Sequence, residues 1–124
     1  MDDELLIARA LAVTAEAEGM CGGRHFTEWV PEIVRLKQAR AFREALALCY
    51  ECIAAVERAA MVDRMRMPYA YTEHAAIIHR KRREYVEEIA VLHRYSVHPC
   101  GDEEMFADRI TTSFRLLERL SRGT

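Results

Sequence analysis

The spacing of apolar side chains limits the possible folds of this 124-residue chain more than any other feature. Between about 41 and 62, apolar residues recur at every third or fourth position. They are Phe42, Ala45, Leu46, Cys49, Cys52, Ile53 and Val56. This period matches the turn of an α-helix, and no apolar–polar alternation is long enough to predict a strand. We therefore predict an all-α fold of five to six helices in antiparallel hairpins, forming a short helical bundle.

Signals for the starts and ends of helices divide the chain. Asp2 or Asp3 is expected to cap the first helix, and Gly19 to end it in a left-handed conformation. Thr27 is expected to cap the second helix, and Asp102 the last one. The predicted helices cover about 3–18, 28–40, 41–62, 68–81, 83–95 and 102–121. A chain of this length is expected to form a single domain, 1–124.

The composition excludes several classes of protein. Hydrophobic residues make up 51% of the chain and charged residues 31%, which is typical of folded proteins and not of disordered or membrane-spanning ones. The segment Met1–Glu4 is acidic, whereas an export signal begins with positive charge. We therefore expect a cytoplasmic protein with reduced cysteines and no membrane partner. The net charge of −2 argues against nucleic acid as the main ligand.

The chain contains a weak internal repeat. Phe42–Leu48 and Tyr85–Leu92 each begin with an aromatic residue at the start of a predicted helix, and a glutamate follows shortly after. Each segment also comes after a helix that ends in basic residues. Such a pattern is typical of stacked helix–turn–helix units, in which the aromatic ring packs between the two helices of its own unit.

Over roughly 28–96, this pattern resembles that of tetratricopeptide repeats. The family's positions are matched by Trp29, Leu36, Phe42, Ala45, Cys49 and Cys52 in the first unit, and by Ala75, Ala76, His79 and Tyr85 in the second. The two opening aromatic residues lie 43 positions apart, against a period of about 34 in that family. The resemblance implies two hairpins, about 28–62 and 68–96, flanked by capping helices over 3–18 and 102–121.

The resemblance further implies a non-catalytic adaptor that binds a protein or a peptide. The concave side of the hairpins would then carry Glu32, Arg35, Thr72 and His79. A stack of only two units leaves apolar end faces, which a homodimer could cover. We predict neither an enzyme nor a cofactor, because the chain lacks motifs such as Gly-x-Ser-x-Gly and His-Glu-x-x-His.

A basic stretch between the fourth and fifth predicted helices offers an alternative function. Arg80, Lys81, Arg82 and Arg83 could contact phosphates, as in a nucleic-acid-associated accessory protein. Acidic residues stand close by, and basic side chains also suit the C-terminal end of a helix, so a solvated hairpin turn is the preferred interpretation. Within the stretch, Arg80 and Arg83 are the residues that we expect to contact a partner.

Two of the four cysteines, Cys49 and Cys52, form a C-x-x-C motif. A redox pair of this type usually lies at the start of a helix, where the helix dipole lowers the pKa of the thiol. Here the pair lies in the middle of a predicted helix, on its apolar stripe. Core packing is therefore the preferred interpretation.

Two connectors hold a further set of candidate ligands, namely Cys21, His25, His98 and Cys100. Zinc accepts two sulfur and two imidazole ligands in tetrahedral geometry. The spacing typical of zinc sites is absent, so we predict no metal site. A small metal-dependent or thiol-dependent protein is the remaining alternative.

Overall fold

The computed structural model describes residues 2–123, so Met1 and Thr124, the ends of the predicted domain, lie outside the described residues. These residues form six α-helices, a short 3-10 helix (Phe26–Trp29) and a two-stranded β-hairpin. The α-helices are α1 (Asp3–Glu18), α2 (Val30–Gln38), α3 (Phe42–Asp63), α4 (Ala70–Lys81), α5 (Tyr85–Val97) and α6 (Ala107–Arg122). The predicted all-α fold is confirmed. Within 2–123, no helix combines the length and apolar composition that crossing a membrane requires.

The chain divides into two compact units, with the boundary between Pro68 and Tyr69. In the first unit, α1 and α2 both pack against α3. In the second unit, α5 contacts both α4 and α6. Each unit therefore has one helix that the other two contact. The single domain over 1–124 stays a prediction.

The predicted apolar face of α3 forms the core of the first unit. Its buried residues are Ala45, Leu46, Cys49, Cys52, Ile53, Ala55, Val56, Ala59 and Ala60. Ile33 of α2 is fully buried, and Ala15 is the buried residue of α1. α1 packs on α3 while its large apolar residues stay exposed.

The connector after α1 is a β-hairpin, which the sequence analysis did not predict. Its strands, β1 (Met20–Cys21) and β2 (Arg24–His25), pair antiparallel across a turn at Gly22 and Gly23. The two glycines have φ of +59° and +83°, as a type I′ turn requires. A Cβ on Gly22 would lie 2.9 Å from the Trp29 ring, so packing also favours glycine there. Strands of two residues are too short to produce a recognisable alternation.

Two predictions about helix ends in the first unit are wrong. Gly19 is right-handed, with φ −78°, and its lack of a side chain matters because a Cβ would lie 2.6 Å from His25 Nε2. His25, and not Thr27, caps the segment that leads into α2. The His25 ring accepts from the Thr27 amide, and Glu28 Oε2 accepts from the His25 amide at 3.2 Å.

The two predicted hairpins have the same turn geometry. Arg40, between α2 and α3, and Arg83, between α4 and α5, both adopt a left-handed conformation with φ 58°. In each hairpin, the amide of the following residue donates to the carbonyl five residues earlier. Ala41 donates to Leu36 at 2.9 Å, and Glu84 donates to His79 at 2.8 Å. This is a Schellman motif, in which glycine is the usual left-handed residue.

Aromatic rings close the core of the second unit. Phe106 is buried and packs edge-on against Tyr95 of α5, with the ring centroids 5.3 Å apart. The residues before Phe106 form turns that bring this ring to α5, so α6 begins at Ala107 and not directly after Asp102 as predicted. Asp102 Oδ1 instead accepts from the amide of Glu104 at 2.9 Å.

Candidate functional site

Glu32 and Arg35, two of the predicted partner-contact residues, lie at the surface of α2 and bind each other. Arg35 Nε and Nη2 donate to the two carboxylate oxygens of Glu32 at 2.8 and 2.6 Å. This hydrogen bonding lowers the pKa of Glu32 and raises the pKa of Arg35. The pair is accessible, but a partner would have to bridge or break it.

Thr72 and His79, two further residues predicted to contact a partner, are buried. Their exposed fractions are 3% and 5%, so neither offers a surface to another molecule. His79 Nδ1 lies 2.9 Å from Oε1 of Glu84, across the turn between α4 and α5. This hydrogen-bonding contact offsets the free-energy cost of burying the polar His79 ring. The helical spacing of the sequence does not predict the contact.

Arg80 points into the second unit as one half of an ion pair. Its Nε lies 2.8 Å from Oε2 of Glu88, whose side chain is fully buried. Within residues 2–123, no N–H or O–H is well aligned to donate to either carboxylate oxygen of Glu88. The nearby positive charge of Arg80 is therefore what mainly offsets the cost of burying this carboxylate. Arg80 Nη2 also donates to Ser113 Oγ at 3.0 Å and to the Arg109 carbonyl at 3.3 Å. The guanidinium of Arg80, a predicted partner-contact residue, thus links α4, α5 and α6.

The contacts of Arg80 and Arg82 divide the basic stretch. Arg82 Nε lies 3.6 Å from Glu84 Oε1, and Arg80 is paired with Glu88. Arg83 is exposed at its left-handed turn. Arg80 is therefore turned towards Glu88, whereas Lys81, Arg82 and Arg83 stay exposed.

Arg83 lines a shallow cleft of about 320 Å³ on the second unit. The other lining residues are Tyr85, Leu116, Arg119, Leu120 and Gly123. Tyr85 thus faces the end of α6, and it is half-buried, as is Phe42 in the first unit.

The C-x-x-C pair belongs to the core of the first unit. Cys49 and Cys52 are fully buried, which confirms the core-packing interpretation. Burial raises the pKa of Cys49 to about 12 and also raises the pKa of Cys52, so both are neutral thiols near pH 7. Cys21 on β1 lies close to one of them, with its Sγ 4.0 Å from Cys52 Sγ.

The histidines considered as zinc ligands make structural contacts. His25 Nε2 lies 3.6 Å from a carboxylate oxygen of Glu16, in addition to its capping role. His98 Nδ1 accepts from the amide of Cys100 at 3.0 Å. Within residues 2–123, no group of three or more His, Cys, Asp or Glu side chains is arranged to hold a metal ion.

The helix α1 exposes a row of apolar side chains that the sequence analysis did not single out. Leu6, Ala10, Val13 and Ala17 are all exposed, and we call these four residues the outer face of α1. Leu6 and Val13 are 47% and 70% exposed. Steps of four, three and four residues place the row roughly 170° around the helix from the buried Ala15. This spacing is visible in the sequence, but only the structure shows which of the two apolar stripes of α1 faces α3.

Negative charge surrounds the outer face. The charged residues of the segment 2–18 are Asp2, Asp3, Glu4, Arg9, Glu16 and Glu18, that is, five acids and one arginine. Arg58 of α3 offsets one of them, since its Nε lies 3.6 Å from Glu18 Oε2. An apolar row with acidic residues towards both ends complements a ligand that is apolar and basic.

No match to this chain was found among models of protein families, among curated proteins or among solved structures. The tetratricopeptide relationship therefore stays a prediction.

Proposed function

We propose that this protein is a non-catalytic helical adaptor that binds a partner protein through the outer face of α1. One observation carries the proposal: α1 buries only Ala15 where it packs on α3, and the apolar row on its opposite side stays exposed, with Val13 70% exposed. Exposed apolar patches with a polar rim commonly mark sites of protein–protein contact. Binding of a partner would remove the exposed row from water and so provide the driving force for a complex.

The proposed partner presents an amphipathic helix with basic flanks. On the outer face, the small residues Ala10 and Ala17 alternate with Leu6 and Val13, which leaves room for the side chains of a second helix. The acidic residues near both ends of α1 favour lysine and arginine beside the apolar row of the partner.

A second copy of this chain is a poorer partner for the same surface. It would bring another five acids and one arginine to the contact, and like charges oppose association. The homodimer suggested by the sequence is therefore not the complex that we propose for α1.

The burial and the structural contacts of two cysteines and two histidines support a non-catalytic role. Cys49 and Cys52 are buried neutral thiols, and thiolates are the form that reacts. His79 is buried beside Glu84, and His25 caps a helical segment. Each of these groups has a structural contact that accounts for its position.

A synthetic helical peptide tests the proposal. The probe carries leucine at heptad positions a and d and lysine or arginine at the flanking positions, and a second peptide carries glutamate at those flanks. Fluorescence anisotropy should show binding of the basic peptide and none of the acidic one. Val13→Asp should weaken binding at least about tenfold, since about 1.4 kcal/mol of lost contact energy corresponds to that factor.

Val97→Asp on α5 is the matched control, because Val97 is 62% exposed but belongs to the second unit. It should leave the affinity unchanged, and both variants should keep the circular dichroism of the native chain. Equal weakening by the two variants, or equal binding of the acidic peptide, would contradict the proposal. Binding of an oligonucleotide that falls steeply with salt would favour the nucleic-acid alternative instead.

A further inference from the structure

The hairpin of β1 and β2 brings two cysteines together that are far apart in the sequence. Cys21 Sγ lies 4.0 Å from Cys52 Sγ, although 31 positions separate the residues. Cys21 is half-buried, whereas Cys52 is fully buried. We propose that Cys21 and Cys52 form a reversible disulfide when a hydroperoxide oxidises the protein. This proposal does not rest on the outer face of α1.

Contacts of the hairpin hold the two sulfur atoms near each other. Trp29 Nε1 donates to the carbonyl of Cys21 at 2.8 Å. Arg58, which lies less than two helical turns after Cys52 on α3, donates from Nη2 to the carbonyl of Met20 at 3.0 Å. The backbone of β1 is thus tied on both sides of the Cys21 side chain to fixed groups of the same unit.

The remaining distance is small enough to close without rearranging the core. A disulfide needs the sulfur atoms about 2 Å apart, so they must approach by about another 2 Å. We expect rotation about the side-chain bonds of Cys21 to supply this movement. Cys52 need not move, which matters because it is packed within α3.

The chemistry begins at Cys21, the sulfur that a peroxide can reach from solvent. This sulfur takes one oxygen atom from hydrogen peroxide and becomes a sulfenic acid, and the first water leaves. The sulfur of Cys52 then attacks the sulfur of Cys21, and the hydroxyl group leaves with the thiol proton as a second water. Two thiols lose two electrons in total, and one peroxide is reduced to two waters.

The second step should be the slow one. Burial raises the pKa of the Cys52 thiol, and the nearby Cys21 adds to this effect, so little thiolate is present at neutral pH. The rate of ring closure should therefore increase with pH, whereas the equilibrium position depends on the oxidant and reductant present.

Peptide mapping of the peroxide-treated native chain tests the proposal. We expect a cross-linked peptide joining Cys21 to Cys52, an intact mass lower by two hydrogens, and reversal of both by dithiothreitol. Cys21→Ser should abolish the cross-link, and circular dichroism should show that this half-buried position tolerates the change. Cys49→Ser is the matched control, and it should still form the cross-link.

Thermal unfolding provides a second measurement. Oxidation should raise the Tm of the native chain, reduction should restore it, and neither treatment should change the Tm of Cys21→Ser. A cross-link between Cys49 and Cys52, a disulfide between two chains, or sulfinic acid accumulating at Cys21 without any cross-link would overturn the proposal.

Discussion

Replacement of Arg80 by alanine should destabilise the protein far more than replacement of its neighbour Arg82. Arg80 supplies the positive charge beside the fully buried Glu88, with 2.8 Å between Nε and Oε2, and it also donates to Ser113. Without it, the carboxylate of Glu88 would be left in an apolar core with no aligned donor among residues 2–123. Such an uncompensated charge is costly because water cannot solvate it.

The magnitude follows from the burial of the two partners. Removal of one member of a buried ion pair costs about 3 to 5 kcal/mol. The Arg80 side chain is 34% exposed, so water partly screens the pair, and we expect about 2 to 3 kcal/mol. The corresponding change at Arg82 breaks a surface pair with 3.6 Å between Nε and Glu84 Oε1 and should cost less than about 1 kcal/mol.

Urea unfolding followed by circular dichroism measures these free energies. A double variant, Arg80→Met with Glu88→Leu, removes both charges and should recover most of the loss, because well-packed apolar residues can replace a buried pair. A cost below about 1 kcal/mol for Arg80→Ala would refute this reasoning, since it would mean that the charge of Glu88 is well solvated. A double variant no more stable than Arg80→Ala would refute it as well.

Three further predictions concern the backbone and the thiols. Gly22→Ala should lower the free energy of unfolding by about 2 kcal/mol, because it places a Cβ at positive φ and 2.9 Å from the Trp29 ring. Gly23→Ala also has positive φ, but its Cβ would meet no atom within 4 Å, so the loss should be about 1 kcal/mol. Equal losses in urea unfolding would contradict the effect of the Trp29 contact. Arg83→Gly should raise the unfolding free energy by about 0.5 kcal/mol, since glycine adopts the left-handed conformation without strain, and a loss of stability would count against this. The stability that Cys49 contributes should be complete below pH 9 and lost as the pH rises towards about 12, because its thiol ionises near 9.0 in the unfolded chain and near 12 in the fold. Cys49→Ala should accordingly flatten the decrease of stability with alkaline pH, and an unchanged slope would be the contrary result.

Local sequence patterns predict the bounds and the apolar face of a helix where the capping residues and the apolar spacing lie within the helix itself or next to it. The bounds of α1 agree with the predicted 3–18, because Asp2 caps the helix from within the local sequence. The face of α3 was also predicted, since its apolar residues keep the helical period over many turns. In both cases the signal lies within a few residues of the feature that it determines.

Features that depend on distant residues were not predictable in this way. Gly19 has the residue type of a left-handed stop, but its small size allows the approach of His25 from β2. Arg80 looked like a surface cation, but Glu88 and Ser113 on two other helices draw it inwards. The late start of α6 follows from the packing of Phe106 on Tyr95. In each case a tertiary contact outweighs the local preference.

The candidate site shows the same limit. Both apolar stripes of α1 are present in the sequence at helical spacing, and nothing local says which of them α3 covers. Thr72 is buried although its residue type is common on helix surfaces. Accessibility is a property of the packed unit, so the pattern alone does not show which of the predicted partner-contact residues are exposed.

Amide hydrogen exchange along α1 is the most direct test of the outer face as a binding surface. It would be measured by mass spectrometry with and without a saturating amount of the basic amphipathic peptide. We predict slower exchange within Asp3–Glu18 when the peptide is present, and unchanged exchange in α5 around Val97. A bound peptide that leaves the exchange of α1 unchanged, or that protects α5 instead, would contradict the account.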